Sequence, residues 1–387
     1  MKTIAFLIFS PFSQRDFNRF GIEILKKKFN VYVLDMSKLF GMDLNNKCLI
    51  HKFDGYLSIN SIKEFKKNST KLNFDFAVDF LDISPISYEL RNFLKKKKVS
   101  ITKVQNGLQP KYVPSNVLKD KVYKNIFSLS SWQKIVFTLH KLLNPKSYFF
   151  SDEILVGGLS GLNLIAAKFS KTIIPCHSFD YDIYLNLKKN KKIIKDKYLV
   201  FVDQNLAFHP DLDFLKLKKI VDPYNYYNSM ESFFKKAESF YNLKLIVASH
   251  PRSNYHLHKE IFKNRTIIKG KTADLIKDCE HVFMHASNAL SYAVLYRKPI
   301  SFISTNEINN SFFKNTIDVF SKFFSKKYLN IDNYTENDFL ELVDKTINDS
   351  VYQKYEREFL IHPESSKDLF WEIYSEYILN KKINHKK

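Results

Sequence analysis

The sequence predicts an α/β chain made of two doubly wound halves, each an open, mainly parallel sheet. Short apolar runs of strand length alternate with amphipathic stretches of helical period along both halves, which is the pattern of βα units. The alternation pauses at the lysine-rich segment 188–197 and then resumes. Polar residues follow several apolar runs directly, as in Asp203-Gln204 and His250-Pro251-Arg252, so chemistry is expected at strand ends. A length of 387 residues fits two domains and a tail, placed at 1–190, 191–365 and 366–387.

Residues 3–9 are the first buried strand. The run is too short for a secretory signal, has no small-residue cleavage site, and leads into a charged helical segment. That helix, 16–28, carries Phe17, Phe20, Ile24 and Leu25 on one face. Strands follow at 30–34, ending at Asp35, and at 74–80, ending near Asp79 and Asp82. A helix at 88–94 and a strand at 101–104 lead to the turn Gln105-Asn106-Gly107. An apolar helix is expected at 132–143 and a strand at 153–156. Gly157-Gly158-Leu159-Ser160-Gly161 then forms a loop before a helix at 162–169. It is not a Gly-x-Gly-x-x-Gly fingerprint, so no dinucleotide is inferred. The strand 172–175 runs into His177-Ser178-Phe179-Asp180-Tyr181-Asp182.

The second half opens with the strand 198–202, followed by a helix at 230–241 and a strand at 243–248. A short strand at 266–268, a helix at 272–279 and a strand at 282–284 come next. The last of these ends in His285-Ala286-Ser287-Asn288. A helix at 288–296, Lys298-Pro299 and a strand at 300–303 complete the alternation. Helices at 336–348 and 367–379 close the chain. The second carries Leu369, Phe370, Trp371, Ile373, Tyr374 and Tyr377 and is free to pack back.

Composition narrows the partners. Lysine and arginine number 61 against 40 acidic residues, a formal charge of +21, which suits an anionic partner. The lysines fall mostly in loops and helix ends without a recognition motif, which argues against nucleic acid. The three cysteines, Cys48, Cys176 and Cys279, lack metal-ligand spacing and fit a reducing cytosol. No run is long enough to span a bilayer, so a cytoplasmic protein is expected. The aromatic-rich helices 132–143 and 367–379 either pack on their own domain or touch the inner membrane surface.

His250-Pro251-Arg252 is the most informative motif. Proline after a strand-end histidine stops the strand and fixes the loop, so the imidazole faces the crevice. Ser287 stands at a helix N-cap position, which serves the helix itself and also suits a phosphate. Asp203 and Gln204 end the first strand of the second half, and His285 and Asn288 flank Ser287.

A strand-end His-Pro, a Ser at a later helix start and a Lys-Pro at that helix's end resemble several bacterial GT-B transferase families. These are the sialyltransferases, the Kdo transferases of capsule and O-antigen, and the CDP-glycerol-dependent teichoic acid polymerases. The resemblance covers about 198–303. It implies two Rossmann-like domains facing a central cleft, with His250 and Ser287 holding the phosphate and cytidine of the donor. Pro251, Arg252, Asn288, His285 and Gln204 join that set. Val202-Asp203-Gln204 is similar to a run in retaining β-Kdo transferases, which makes Asp203 a candidate reactive carboxylate; a turn-capping role is the alternative. Asp211 is a second candidate at that rim. Asp180 or Asp182 could deprotonate an acceptor hydroxyl, or serve a polar hinge.

No Glu-x-Phe-Gly run stands in the second half, and Asp180-Tyr181-Asp182 lacks the strand-loop setting of a metal-binding Asp-x-Asp. The expected activity is therefore metal-independent transfer of a CMP-activated ulosonic acid, of Kdo or sialic type. No separate cofactor is expected. The acceptor is a surface-polysaccharide or lipid-linked glycan. The alternatives are a UDP-sugar transferase of the same fold and a basic nucleic-acid-binding protein.

Overall fold

The computed structural model describes residues 1–42, 50–111, 138–139, 141–209, 219–255, 258, 261–262 and 265–381. Most of the helix expected at 132–143, Cys48, Asp211 and the end of the basic tail lie outside the described residues. The chain forms two compact units. The first comprises Met1–Leu108, Pro114–Phe179 and Glu358–Lys387, and the second Gln109–Val113 and Asp180–Arg357. Asp180 and Asp182, placed by the sequence in the first half, belong to the second unit.

The first unit holds a seven-stranded sheet in the order β3-β2-β1-β4-β5-β6-β7. The strands are β1 Thr3–Ile8, β2 Asn30–Asp35, β3 Tyr56–Ser58, β4 Phe76–Asp79, β5 Ser100–Gln105, β6 Ser151–Val156 and β7 Ser170–Pro175. All neighbours pair in parallel. The run 4–8 is apolar throughout because both faces of β1 are covered. Ile4, Phe6 and Ile8 pack with Phe20, Leu25, Trp371 and Tyr374. Ala5 and Leu7 pack on the other face with Phe65, Leu90 and Leu94.

The C-terminal helix Phe370–Asn380 therefore belongs to the first sheet, as the expectation that it packs back requires. Its buried residues Phe370, Trp371, Tyr374 and Ile378 form one helical stripe. Polar ties add to the apolar seam. Trp371 Nε1 donates to the Arg19 carbonyl at 2.7 Å, and Lys2 Nζ to that of Ile378 at 2.8 Å. Glu153, buried in β6, accepts from Ser100, Thr102 and Lys381.

The helix expected over 16–28 is two helices, Gln14–Arg19 and Ile22–Lys26. The break is Gly21, at φ 55°, where a Cβ would overlap the Trp371 side chain. Only glycine meets both demands at low cost.

The second unit holds a six-stranded sheet in the order β10-β9-β8-β11-β12-β13. Its strands are β8 Tyr198–Val202, β9 Lys244–Ser249, β10 Ile267–Lys269, β11 His281–Met284, β12 Ile300–Ser304 and β13 Tyr328–Asn330. All pairings are again parallel. The helix Pro223–Tyr241 starts with Asp222 as N-cap, accepting from the Asn225 amide at 3.1 Å, and with proline in its first turn. Tyr226, Met230, Phe233, Phe234 and Ala237 form its buried stripe. The chain runs outward from β8 through β9 to β10, then crosses to β11 and runs outward the other way. The strand order thus reverses between β8 and β11. Open α/β sheets bind ligands beyond the carboxyl ends of such a pair.

Candidate functional site

The carboxyl ends of β8, β9 and β11 bring together most of the residues that the sequence singles out. Gln204 follows β8 and reaches across the switch point. Its Oε1 accepts from the Ala286 amide at 2.9 Å, and its Nε2 donates to the Ala286 carbonyl. The side-chain amide pairs with the backbone as another strand would, and so sets the path of the Ala286-Ser287-Asn288 loop. Gln204 thereby positions the loop.

Asp203 is buried, at 2% exposure. Oδ1 accepts from the Asn205 amide at 2.9 Å. Oδ2 accepts from the Tyr255 hydroxyl at 2.6 Å and the His250 amide at 3.3 Å. Burial pushes the carboxyl above its ordinary range, against the opposing pull of these donors and of the Gln204 amide. A carboxylate that attacks a sugar has to reach it, whereas both oxygens of Asp203 are turned onto its own loops. Its place is that of an anchor for His250, a correction to its candidacy as the reactive carboxylate.

His250 is held at several points. Its Nδ1 accepts from the Arg252 amide at 3.2 Å, which fixes the ring on its own turn. Its carbonyl accepts from the Ser253 amide at 2.9 Å and the Ser253 hydroxyl at 2.8 Å. Lys269 Nζ donates to the Ser253 carbonyl at 2.7 Å. Pro251 and Arg252 are exposed at the tip of this turn. His209 stacks edge-on against His250 with centroids 4.9 Å apart.

Ser287 is half-buried and Asn288 exposed. The helix begins later than expected, at Leu290, with Ala289 as N-cap, and spans Leu290–Leu295. Ser287 Oγ accepts from the Ala289 amide at 3.2 Å, and its carbonyl from Leu290 at 3.0 Å. Ser287 therefore closes the turn before the helix and is not its N-cap. Short polar side chains bond their own backbone two residues on in this way.

His285 is corrected as well. It is fully buried, with Nδ1 donating to the Ile303 carbonyl at 2.7 Å and Nε2 accepting from the Tyr226 hydroxyl at 2.8 Å. Burial pushes its pKa down to about 4, so it is a neutral core histidine. It joins β11, β12 and the helix Pro223–Tyr241 and is not placed to touch a donor.

Asp180 and Asp182 lie in the first turn of the helix Phe179–Leu187. Asp180 Oδ1 accepts from the Tyr292 hydroxyl at 3.0 Å. Tyr292 belongs to the helix after Ser287-Asn288, so that bond ties Asp180 to the same side of the second unit. Arg297 pairs with Glu356 at 2.5 Å, and Lys298 donates to the Cys279 carbonyl at 2.8 Å, so both are structural. Ser253, which holds His250, and Tyr255, which holds Asp203, carry no signal in the sequence, because nothing in their spacing announces these partners. Among the described residues no group of His, Cys, Asp and Glu is arranged to hold a metal ion. Among them, too, no helix is long and apolar enough to cross a membrane.

No protein-family model matches the chain, and no curated protein matches it. Solved structures do. The glycosyltransferase SnogD from Streptomyces nogalater aligns over 98% of this chain and 99% of its own, with a TM-score of 0.54 at 8% identity. The wall teichoic acid polymerase TagF aligns over 97% of this chain and 87% of its own, with a TM-score of 0.51 at 12% identity. The likeness is one of fold: two parallel α/β sheets of Rossmann type with a C-terminal helix, as in GT-B glycosyltransferases.

Proposed function

We propose that this protein is a glycosyltransferase. Its donor is a nucleotide sugar, specifically a CMP-activated ulosonic acid of Kdo or sialic type. The observation that carries the proposal is the pair of polar turns flanking the switch point. His250 ends β9 on one side of β8, Ser287 and Asn288 follow β11 on the other, and Gln204 clamps the second turn. Fold alone does not decide function, so the site residues carry the chemistry.

In this reading His250 and Arg252 hold the donor phosphate, and Ser287 and Asn288 complete the nucleotide site. Protein donors and the Arg252 charge stabilise the leaving phosphate as negative charge develops on it. Asp180 or Asp182 takes the proton of an acceptor hydroxyl on a surface-polysaccharide or lipid-linked glycan. Asp203 positions His250. The protein works in the cytoplasm, at the inner face of the membrane where such acceptors are anchored.

The test is calorimetry with CMP, CDP, UDP, GDP and ADP, with and without magnesium. CMP is expected to bind selectively. Removal of a hydrogen bond to a charged group in His250→Ala is expected to weaken it roughly ten- to a hundredfold. Selective binding of UDP would move the donor to an ordinary hexose or amino sugar. Unchanged CMP affinity in His250→Ala would refute the site.

A further inference from the structure

The carboxyl edge of the first sheet holds a charged cluster that the donor site does not use. Asp79 ends β4, and Lys103 stands beside it at the paired position on β5. Arg91, from the helix Pro85–Lys96, donates from Nε to Asp79 Oδ2 at 2.7 Å and from Nη2 to Oδ1 at 3.2 Å. Nη2 also donates to the Leu81 carbonyl at 3.1 Å and the Asp82 carbonyl at 2.9 Å. The Asp79 side chain is fully buried and that of Arg91 is 5% exposed.

Two donors remain. Arg91 Nη1 is buried and has no hydrogen-bond partner among the described residues. Lys103 Nζ donates to the Tyr148 carbonyl at 3.3 Å and lies 6.0 Å from the Phe149 ring centroid. Asp79 balances one of the two cations, which leaves a surplus positive charge. A buried charged donor without an acceptor is costly, and so is a desolvated charge without a counterion. Arg91 Nη1 meets the first of these and Lys103 the second. Burial, with the Arg91 charge, lowers the Lys103 pKa to about 8 despite the opposing pull of Asp79. An anion at this place would relieve both, and it would lie near the carboxyl ends of two adjacent parallel strands.

We propose that the first unit binds an oxyanion, the phosphate or carboxylate group of a ligand, between Lys103 Nζ and Arg91 Nη1. The Arg91 fork is already spent on Asp79. One guanidinium nitrogen and one ammonium remain, which suits a group with two or more oxygens bridging two donors. The site does not depend on the donor assignment in the second unit.

The experiment measures acetylation of Lys103 in the full chain near pH 8 by mass spectrometry, with trace acetic anhydride. Sodium phosphate, sodium acetate and sodium chloride are compared at equal ionic strength. Phosphate or acetate is expected to slow Lys103 acetylation about tenfold near saturation, by occupancy, while exposed Lys28 is unaffected. Protection by phosphate alone marks a phosphoryl ligand, and by acetate alone a carboxylate. No protection beyond that of chloride overturns the proposal. Thermal stabilisation by the effective anion should also vanish in Lys103→Met, and its persistence there would place the anion elsewhere. Lys103 protection retained in His250→Ala separates this site from the donor site, so either can fail alone.

Discussion

Three strand-end aspartates show how single residues shape the edges of both sheets. Asp35, Asp79 and Asp203 each accept from the amide two residues on, at Ser37, Leu81 and Asn205, between 2.9 and 3.0 Å. Each also takes a donor from a neighbouring element: Phe12 and Tyr56, Arg91, or His250 and Tyr255. An aspartate there turns the chain out of the strand and ties the next loop down. Tyr255→Phe removes the shortest of the Asp203 bonds. It is expected to cost about 1–3 kcal/mol in urea unfolding, because a buried carboxylate loses a donor. If the proposed donor site is right, CMP affinity should fall with it. Unchanged stability would show that Tyr255 does not hold Asp203.

His285 and His281 make a second residue-scale prediction. Burial lowers them to about 4 and about 3, with Lys326 and Lys345 adding to the effect on His281. Their folded values lie below the unfolded one, so their stabilising contribution is full above about pH 6.5 and falls as pH drops towards the folded values. Unfolding free energy is expected to fall from pH 6.5 to 5 by roughly 1 kcal/mol per pH unit for each histidine. His285→Gln should reduce that slope by about half. An unaltered slope would mean that His285 is not held neutral.

At the scale of elements, the junction between Gly21 and the C-terminal helix is the sharpest constraint. Gly21→Ala adds a Cβ at positive φ and drives it into Trp371. Strain and overpacking together are expected to cost about 2–4 kcal/mol. Limited proteolysis should then release the segment around 370–380 first. Resistance equal to wild type would show that the seam tolerates the change. Most central strands were legible because two buried faces leave a continuous apolar run. The edge strands β3 and β13 escaped because three residues with partial exposure carry no periodicity. The helix Lys314–Phe323 escaped too, although its stripe Ile317, Phe320 and Ser321 is buried.

At the scale of the molecule, the two units differ in how the chain builds them. The second is nearly continuous, from Asp180 to Arg357 with a short strip from Gln109 to Val113. The first needs the segment after Glu358, because Phe370, Trp371, Tyr374 and Ile378 fill one face of its sheet. Residues 180–357 expressed alone are expected to unfold cooperatively, whereas 1–179 alone should lack a cooperative transition until 358–387 is supplied in trans. A cooperative fold for 1–179 alone would overturn that dependence. Circular dichroism against temperature decides both.

The alternation of strand and helix, the two-sheet plan and the strand ends at which His250, Ser287 and Gln204 stand are all legible in the chain's own residues. These follow from local periodicity and from residues that stop strands, both of which are written in adjacent positions. Tertiary structure alone decided which polar strand-end residues face inward. Asp203 and His285 look like site residues in the sequence, and only Tyr255, Tyr226 and Ile303, brought close by folding, make them structural. Whether a polar group meets a ligand or a buried partner depends on contacts between residues distant in the chain, and no local pattern encodes those.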